Sequence, residues 1–396
     1  MELTRKQTEG LAIAVDRYKK GESYTCIAGY AGSGKSTLVN FIIAALGVDP
    51  NEEVCYVAYT GKAAQVLRQK GCANAITAHK LLYYSKQLSN GKFIHTPVKN
   101  FEKNYKVIVV DEISMLPIEM WYLLLGHRVY ILALGDPGQL PPVDKESENG
   151  VLDHPHVFLD EIMRQAQDSE IIRLSMHIRE GKPLSSFNCA NEQVKIVSPS
   201  EVIYSMYEWA DQVLCATNIT RNAINNMMRK AKGYGEEPTE EDKIISLSNH
   251  WEFLSSNGNW ALTKGCIGSV GYHYAQNVYV PKYIHNGPIR ILYTNMEMGD
   301  DTFNMIPIDY KCLQTGEPAL TPKERYMLSK NKNVNIEAPY EFAYAYAVTG
   351  HKAQGSEWSK ILLIEEKFPF DKEEHRRWLY TGITRASEKL VVVRKE

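Results

Sequence analysis

The sequence has no long apolar run, few cysteines and no repeat. None of its apolar stretches approaches the roughly 20 residues that a transmembrane helix needs, and Met-Glu-Leu-Thr-Arg-Lys at the start lacks the apolar segment of a signal peptide. The seven cysteines are odd in number and scattered, without a C-x-x-C pair, which disfavours disulfide frameworks and zinc sites. We therefore expect a cytoplasmic protein that has no contact with a membrane.

An excess of positive charge is also missing. Lys and Arg number 45 against 47 Asp and Glu, which gives a formal net charge of -2. A polyanionic partner would therefore need a local channel of donors rather than a broad basic face. The length of 396 residues exceeds one ordinary hydrophobic core, so two or three domains are expected.

The most informative stretch that is present runs from Gly29 to Ser36 and matches the phosphate-binding pattern G-x-x-x-x-G-K-[ST]. It lies between a predicted buried strand, Tyr24 to Ala28, and a predicted apolar helix, Thr37 to Leu46. A glycine-rich turn at a helix start presents backbone N–H groups to phosphate oxygens. The pattern predicts that the Lys35 ammonium contacts the outer phosphates and that the Ser36 hydroxyl binds Mg²⁺.

A second buried strand ends in two carboxylates. The apolar run Val107 to Val110 is followed at once by Asp111 and Glu112. An unpaired buried carboxylate is costly, so a pair at this position needs a cation or a chemical role. The pattern fits a Walker B element, in which Asp111 holds Mg²⁺ through water and Glu112 orients and activates the attacking water. A structural salt bridge for one of the two is the alternative.

Predicted strands alternate with predicted helices through much of the chain, which indicates an α/β fold with parallel sheets. Two stretches break this alternation. Tyr83 to Lys106 carries Asn90-Gly91 between apolar residues, which predicts a β-hairpin over 84–105, with a disordered loop as the alternative. Short strands and turns fill residues 244–338, which predicts an inserted small β-barrel.

Together these motifs resemble those of superfamily 1 helicases of the RecD/Dda type, and the resemblance suggests a phage-encoded member. Nine elements occur in the family's order: Gln7, Gly29 to Ser36, Thr60-Gly61-Lys62, Thr77-Ala78-His79, Asp111-Glu112, Gly135 to Pro142, Arg164, Thr349 to Glu357 and Thr381 to Arg385. The resemblance implies two RecA-like domains on either side of an ATP cleft. The first would span 1–165 and include the hairpin. The second would span 166–243 and 339–396, with an SH3-like insert at 244–338.

The resemblance also implies roles at the ATP site, with ATP and Mg²⁺ as cofactors. Gln7 would read the adenine edge, although Thr4 and Gln7 also fit a helix-capping box. Gln139 would sense the γ-phosphate, and Arg164 and Arg385 would act as arginine fingers, with a surface salt bridge as the alternative for each. The expected catalytic residues are Lys35, Asp111, Glu112, Gln139, Arg164 and Arg385. The expected nucleotide contacts are Gln7, Gly29, Gly32, Gly34, Lys35, Ser36, Thr37, Gly355 and Glu357, and the expected metal ligands are Ser36 and Asp111.

Single-stranded DNA is the track that the resemblance implies. The residues expected to line it, mainly through phosphate contacts, are Thr60, Lys62, Thr77 and His79 on the first domain and Thr349, His351 and Lys352 on the second. The RecD/Dda branch moves 5'→3', and the hairpin would be the wedge at junctions of single- and double-stranded DNA. Phe93 would be its stacking residue, with Phe101 as the alternative.

The activity expected from this resemblance is that of a monomeric DNA helicase, with single-strand-binding or replisome proteins as further partners. The alternative is an ATPase stimulated by single-stranded DNA that strips proteins or serves as a motor subunit without unwinding alone. A P-loop ATPase with a non-nucleic partner and an RNA track also remain open, because phosphate contacts do not distinguish the sugars.

Replacing Lys35 by alanine tests the phosphate-binding interpretation. The change removes the positive charge expected at the outer phosphates, so K35A should lose ATP hydrolysis through loss of nucleotide binding. Phosphate release with and without single-stranded DNA measures this, and circular dichroism checks that the variant is folded. Intact turnover in folded K35A would contradict the assignment.

Overall fold

The computed structural model describes residues 3–87, 93–141, 148–161, 168–258, 261–299, 301–331, 337–366 and 371–395, without the side chains of 85–87, 93, 94 and 251. The chain divides into two compact units. The first consists of Met1–Leu82, Pro97–Arg221 and Val348–Glu396, and the second of Tyr83–Thr96 and Asn222–Ala347. No helix in the described ranges is both long and apolar enough to cross a bilayer.

The first unit contains a six-stranded sheet built from the N-terminal part of the chain. Its strands are β1 (Tyr24–Gly29), β2 (Val54–Ala58), β3 (Ile76–Thr77), β6 (Val107–Val110), β7 (Tyr130–Gly135) and β8 (Val157–Leu159), in the order β3-β2-β6-β7-β1-β8. Neighbouring strands pair in parallel throughout. All residues of β2, β6 and β7 are buried, as expected for a parallel sheet covered on both faces.

Helices connect these strands. They are α1 (Arg5–Lys19), α2 (Lys35–Leu46), α3 (Gly61–Gln69), α4 (Ala78–Leu82) and α5 (Ile118–Gly126). Thr4 and Gln7 form the capping box at the start of α1, and the Thr60 hydroxyl accepts from the N–H of Ala63 at the start of α3. Because parallel strands share one direction, the loops after β1, β6 and β7 meet at one edge of the sheet.

The same unit contains a second, five-stranded sheet from the C-terminal part. Its strands are β9 (Val194–Val197), β10 (Gln212–Cys215), β18 (Ala347–Thr349), β19 (Trp358–Ile364) and β20 (Ala386–Val393), in the order β18-β10-β19-β20-β9. The pairs β10–β19, β19–β20 and β20–β9 are parallel. The accompanying helices are α6 (Glu170–Arg179), α7 (Tyr204–Trp209), α11 (Gly350–Ala353) and α12 (Lys372–Ile383), and α8 (Asn218–Ala231) begins in this unit and continues into the second. The α/β fold with two parallel sheets that the sequence predicts is confirmed.

The second unit is mainly antiparallel. Its central sheet has the order β16-β15-β14-β11-β17, formed by Asp301–Asp309, Pro288–Met298, Ile267–Tyr279, Lys243–Ser246 and Phe342–Tyr344. Two small sheets add β12 (His250–Leu254) with β13 (Ala261–Leu262), and β4 (Tyr83–Gln87) with β5 (Phe93–Pro97). Helices α9 (Tyr310–Thr315) and α10 (Pro322–Lys330) also lie in this unit.

A buried ion pair stabilises this second unit. The Nε of Arg229 donates to Asp242 at 3.1 Å (Oδ1) and 3.2 Å (Oδ2), and the Tyr346 hydroxyl donates to the same carboxylate at 2.8 Å. Asp242 is fully buried, so these bonds offset the cost of burying its charge. The turn Asn90-Gly91, which the hairpin prediction uses, lies outside the described residues. The predicted domain boundaries and the wedge role of this hairpin stay predictions.

Candidate functional site

The loop from Gly29 to Ser36 joins the end of β1 to the start of α2. Gly32 and Gly34 have φ of 76° and 77°, in the left-handed region where a Cβ introduces strain. At Gly29 a Cβ would lie 2.6 Å from the Ser33 hydroxyl oxygen and 2.9 Å from the Leu159 carbonyl oxygen. Glycine is therefore required at three places in the loop for backbone conformation or close packing.

Two side chains of this loop are suited to hold phosphate. Lys35 Nζ donates to the carbonyl oxygens of Gly29 at 2.6 Å and Tyr30 at 3.2 Å. The Ser33 hydroxyl is buried, and in the described part of the protein it has no hydrogen-bond partner. An unsatisfied buried hydroxyl is costly, so a ligand that bonds to it would be stabilised at this place.

Gln7 lies beside the loop and is 1% exposed. Its Oε1 accepts from the N–H of Thr4 at 3.0 Å, while its Nε2 donates to the carbonyl of Ser33 at 3.2 Å. The amide therefore serves the capping box and also fixes helix α1 to the phosphate loop. The adenine-reading role implied by the resemblance stays a prediction.

Asp111 and Glu112 follow β6 at the same edge of the sheet. Burial, and then the neighbouring charge of Glu112, raise the pKa of the Asp111 carboxyl, while the charge of Lys35 opposes this shift. Glu112 has a left-handed backbone with φ of 48°, which is uncommon for a residue other than glycine. Its Oε1 accepts from Arg385 Nη1 at 3.3 Å, and its Oε2 is buried without a hydrogen-bond partner among the described residues.

These groups fit a Mg²⁺ ion shared with a nucleotide. Mg²⁺ prefers oxygen ligands and is usually bound by one or two carboxylates, waters and substrate phosphates rather than by a cage of protein side chains. The Ser36 hydroxyl and the Asp111 carboxylate are such ligands. Within the described ranges there is no cluster of three or more His, Cys, Asp or Glu side chains suited to a metal, so a site made only from side chains is not found.

Residues of the C-terminal sheet contact this acidic pair. Arg385, just after α12, is 7% exposed, and its Nε donates to the Thr381 carbonyl at 3.2 Å. Its Nη1 lies 3.4 Å from the Ser356 carbonyl oxygen as well as near Glu112. A cavity of about 140 Å³ is lined here by Asp111, Glu112, Gly355, Ser356, Glu357 and Arg385, among others. The structure thus brings together predicted residues that are more than 240 positions apart.

The loop that carries Gly355 packs against the start of α3. Gly355 has φ of 73°, and a Cβ there would lie 3.0 Å from Ala63 Cβ and 3.3 Å from Thr60 Oγ1. Glu357 Oε2 accepts from Lys70 Nζ at 2.7 Å on the surface. Glu357 therefore has a partner in α3's C-terminal cap, and its contact to nucleotide stays a prediction.

The turn after β7 is fixed to the C-terminal part by several bonds. The N–H of Leu140 donates to the Thr381 hydroxyl at 2.9 Å, and Gln354 Nε2 donates to the Leu140 carbonyl at 2.7 Å. Gln139 precedes Leu140 and is half-buried. The position of Gln139 therefore depends on residues of both sheets.

Two residues close to the phosphate loop were missed by sequence reasoning. The Tyr380 hydroxyl accepts from the N–H of Ala31 at 2.8 Å and donates to Asp136 Oδ2 at 2.7 Å. The Arg179 guanidinium lies 3.7 Å from the centre of the Tyr30 ring, which it faces. Tyr380 stands five residues before Arg385 in a mostly apolar stretch, whereas the segment around Arg179 carries no motif that would have singled it out.

The residues expected to line a DNA track have mixed surroundings. The hydroxyls of Thr60 and Thr77 accept from backbone N–H groups three residues later, so both stabilise the start of a helix or turn. Lys62 Nζ donates to Gln65 Oε1 at 3.4 Å, and the His79 ring lies 6.4 Å from that of Tyr59. Burial lowers the pKa of His351, which favours its neutral form.

Other predicted residues give less information. Thr349 is 8% exposed, and Lys352 lies beside His351 in the short helix α11. Arg164 lies outside the described residues, as does the side chain of Phe93 at the start of β5. The roles of all these residues as DNA or nucleotide contacts stay predictions.

A larger cavity lies elsewhere in the first unit. It measures about 850 Å³ and is lined by Ile178, Leu184, Glu365, His375, Arg376 and Arg394, among others. None of the predicted site residues is among its described lining residues. Chemistry rather than size therefore identifies the candidate site, which is the smaller cavity at Asp111, Glu112 and Arg385.

Comparisons with known proteins find similarity to ATP-dependent DNA helicases. A family model described as an AAA domain matches residues 3–199, and one described as a UvrD-like helicase C-terminal domain matches residues 344–393. The ATP-dependent RecD2 DNA helicase of Deinococcus radiodurans is 27% identical over 391 residues, covering 93% of this chain and 46% of that protein. The ATP-dependent DNA helicase dda of Enterobacteria phage T4 is 27% identical over 193 residues, covering 46% of this chain and 43% of that protein. The chain thus spans less than half the length of these two relatives.

Solved structures share the fold. The Pif1 helicase from Bacteroides, in complex with ADP-AlF3 and single-stranded DNA, aligns with a TM-score of 0.52 and 17% identity over 100% of this chain and 95% of that one. The Pif1 helicase from Candida albicans aligns with a TM-score of 0.51 and 17% identity, again over 100% of this chain and 95% of that one. At this identity the likeness shows a common fold.

Substituting Asp111 by asparagine separates stability from catalysis. Because the pKa of Asp111 is raised in the folded state, the stability cost of its charge is absent below the unfolded pKa and complete above the folded one. At pH 7.5, D111N should therefore unfold at the same or a higher temperature than the wild type, since the amide oxygen still accepts from the N–H of Glu112. ATP hydrolysis should be lost. Thermal unfolding without nucleotide and phosphate release measure the two effects.

The matched control is Asp160→Asn. A hydrogen bond from Lys6 lowers the pKa of Asp160, so its charge contributes stability above the unfolded pKa and this contribution is lost as the pH falls through the folded value. D160N should therefore unfold at the same or a lower temperature at pH 7.5. A large loss of stability in D111N would show that the Asp111 charge is needed for folding and would contradict this interpretation.

Proposed function

Because the chain belongs to the superfamily 1 helicases of the RecD, Pif1 and Dda type, we propose that it hydrolyses ATP with Mg²⁺ to move 5'→3' along single-stranded DNA and to unwind duplex DNA. The observation that carries this proposal is the contact between Arg385 and Glu112. It joins a side chain that follows α12 to the carboxylate that follows β6. Both residues line the small cavity together with Asp111. The charge of Lys35, in the loop from Gly29 to Ser36, acts on the same Asp111 carboxyl.

The proposed ATP site uses groups from both sheets. The phosphate loop presents backbone N–H groups, and Lys35 exchanges the carbonyls of Gly29 and Tyr30 for phosphate oxygens. Ser36 and Asp111 would hold Mg²⁺, which when bound would neutralise charge on the phosphate oxygens. The free Oε2 of Glu112 accepts a hydrogen bond from the attacking water and then its proton.

Arg385 supplies a second positive charge, in addition to that of Lys35 in the phosphate loop. A guanidinium stays protonated and donates two hydrogen bonds to one phosphoryl group, so it stabilises the charge on the transferring phosphoryl group. In the structure it bonds to Glu112 instead, and it exchanges this partner for the γ-phosphate when the nucleotide is in place. The exchange also releases Glu112 to act on water. Arg164 is a second candidate for the same role.

Movement along DNA follows because ATP hydrolysis needs residues from both sheets. ATP draws the phosphate loop and Arg385 towards the same phosphoryl group, and hydrolysis releases them. The loop 349–357 packs against the start of α3 through Gly355 and Thr60, so the proposed half-tracks lie next to segments that contact the ATP site. Alternating grip by Thr60 and Lys62 on one side and Thr349 and Lys352 on the other then advances the strand.

An unwinding assay with differently tailed duplexes tests the proposal. One fluorescent duplex carries a 5' single-stranded tail, and the other carries a 3' tail of the same length and sequence. We expect ATP-dependent strand separation of the 5'-tailed duplex and little or none of the 3'-tailed one, because a translocating enzyme separates the strands only when it moves towards the junction. ATP hydrolysis by the same samples is recorded in parallel.

The outcomes distinguish the possibilities. Preference for the 3' tail contradicts the 5'→3' direction. ATP hydrolysis that single-stranded DNA stimulates without separation of either duplex favours a translocase or motor subunit. Hydrolysis that neither DNA nor RNA tails affect contradicts a nucleic-acid track, and stimulation by RNA tails alone replaces DNA by RNA as the substrate.

A further inference from the structure

Tyr380 joins the phosphate loop to the helix that precedes Arg385. It lies in α12, is 1% exposed, and its hydroxyl bonds to two groups of the N-terminal sheet. The hydroxyl oxygen accepts from the N–H of Ala31 at 2.8 Å, and the hydroxyl donates to Asp136 Oδ2 at 2.7 Å. A single atom thus connects the phosphate loop, the turn after β7 and α12.

The surroundings fix this hydroxyl in one arrangement. Burial, and then the charge of Asp136, raise the pKa of Tyr380 well above its ordinary value, so the phenol keeps its proton. The other carboxylate oxygen of Asp136 accepts from the N–H of Gly138 at 2.9 Å. A Cβ on Gly138 would lie 3.1 Å from Cε1 of the Tyr380 ring, so the turn packs closely against the ring. The ring can therefore hardly move without the turn.

Arg385 is tied to the same part of α12. Its Nε donates to the carbonyl of Thr381, the residue next to Tyr380, at 3.2 Å. The Thr381 hydroxyl in turn accepts from the N–H of Leu140 at 2.9 Å. A shift of Tyr380 therefore moves the carbonyl that orients the guanidinium.

The phosphate loop contacts Tyr380 next to the two residues whose carbonyls bond to Lys35. Lys35 Nζ donates to the carbonyls of Gly29 and Tyr30, the two residues that precede Ala31. When phosphate oxygens replace these carbonyls as partners of Lys35, the backbone that leads to Ala31 is released. Resting on the proposed ATPase function, we infer that Tyr380 is a positioning residue that makes the placement of Arg385 depend on the state of the phosphate loop.

The substitution Tyr380→Phe tests the inference, because it removes the hydroxyl and keeps the ring. In the full-length chain with single-stranded DNA, Y380F should lower kcat for ATP hydrolysis about tenfold while the Kd for a fluorescent ADP derivative changes less than about twofold. In the background of Arg385→Ala the same change should lower kcat by less than about twofold further, because Tyr380 acts through Arg385. Such non-additivity is not expected of a residue that only stabilises the fold.

Two further variants serve as controls for this comparison of the single and double substitutions. Tyr122→Phe removes a phenol that is 64% exposed on α5 and should leave kcat and Kd unchanged. Asp136→Ala removes the carboxylate that accepts a hydrogen bond from the Tyr380 hydroxyl, and it should also lower kcat. This variant carries the test if circular dichroism shows that Y380F does not fold.

Wild-type kcat in folded Y380F overturns the inference, and so do effects of Y380F and R385A that multiply. A wild-type chain that does not hydrolyse ATP, or an R385A variant with normal turnover, would refute the proposed function instead. If R385A lowers turnover and Y380F does not, only the role of Tyr380 fails.

Discussion

The contact between the Arg385 guanidinium and the Glu112 carboxylate is the interaction on which the candidate site depends. Nη1 and Oε1 lie 3.3 Å apart, and both side chains are largely buried. Breaking a buried ion pair leaves an uncompensated charge, so each partner needs a replacement before the pair can separate. In the proposed function, a γ-phosphate would replace Glu112 as the partner of the arginine, and an attacking water would replace Arg385 as the partner of the glutamate.

Unfavourable local features concentrate around this contact. Asp111 has a raised pKa, Glu112 has a left-handed backbone, and the Ser33 hydroxyl and the Glu112 Oε2 atom are buried without partners in the described residues. Each feature costs stability, and the parallel sheet around it holds the residues in place. Such costs are typical of positions whose arrangement serves a ligand rather than the fold.

Much of the site could be predicted from sequence where chemistry depends on local spacing. The phosphate loop and the pair Asp111-Glu112 each need only neighbouring residues and a buried strand, so their positions at one sheet edge followed from the parallel order. Tyr380 and Arg179 could not be predicted, because their place at the site depends on contacts with Ala31 and Tyr30, which lie more than 140 residues away in the chain. Gln7 shows the mixed case, because its capping bonds are local and its bond to Ser33 is not.

The central claim is that hydrolysis needs an arginine from the C-terminal sheet while nucleotide binding does not. The most direct measurement compares Arg385→Ala with the wild type in two assays, the Kd for a fluorescent ATP analogue and the single-turnover rate of ATP hydrolysis with single-stranded DNA. We expect a Kd within a few-fold of the wild type and a rate lower by on the order of 10³-fold, the effect of arginine fingers in other phosphoryl-transfer enzymes. A near-normal rate, or loss of binding that accounts for the whole decrease, would contradict it.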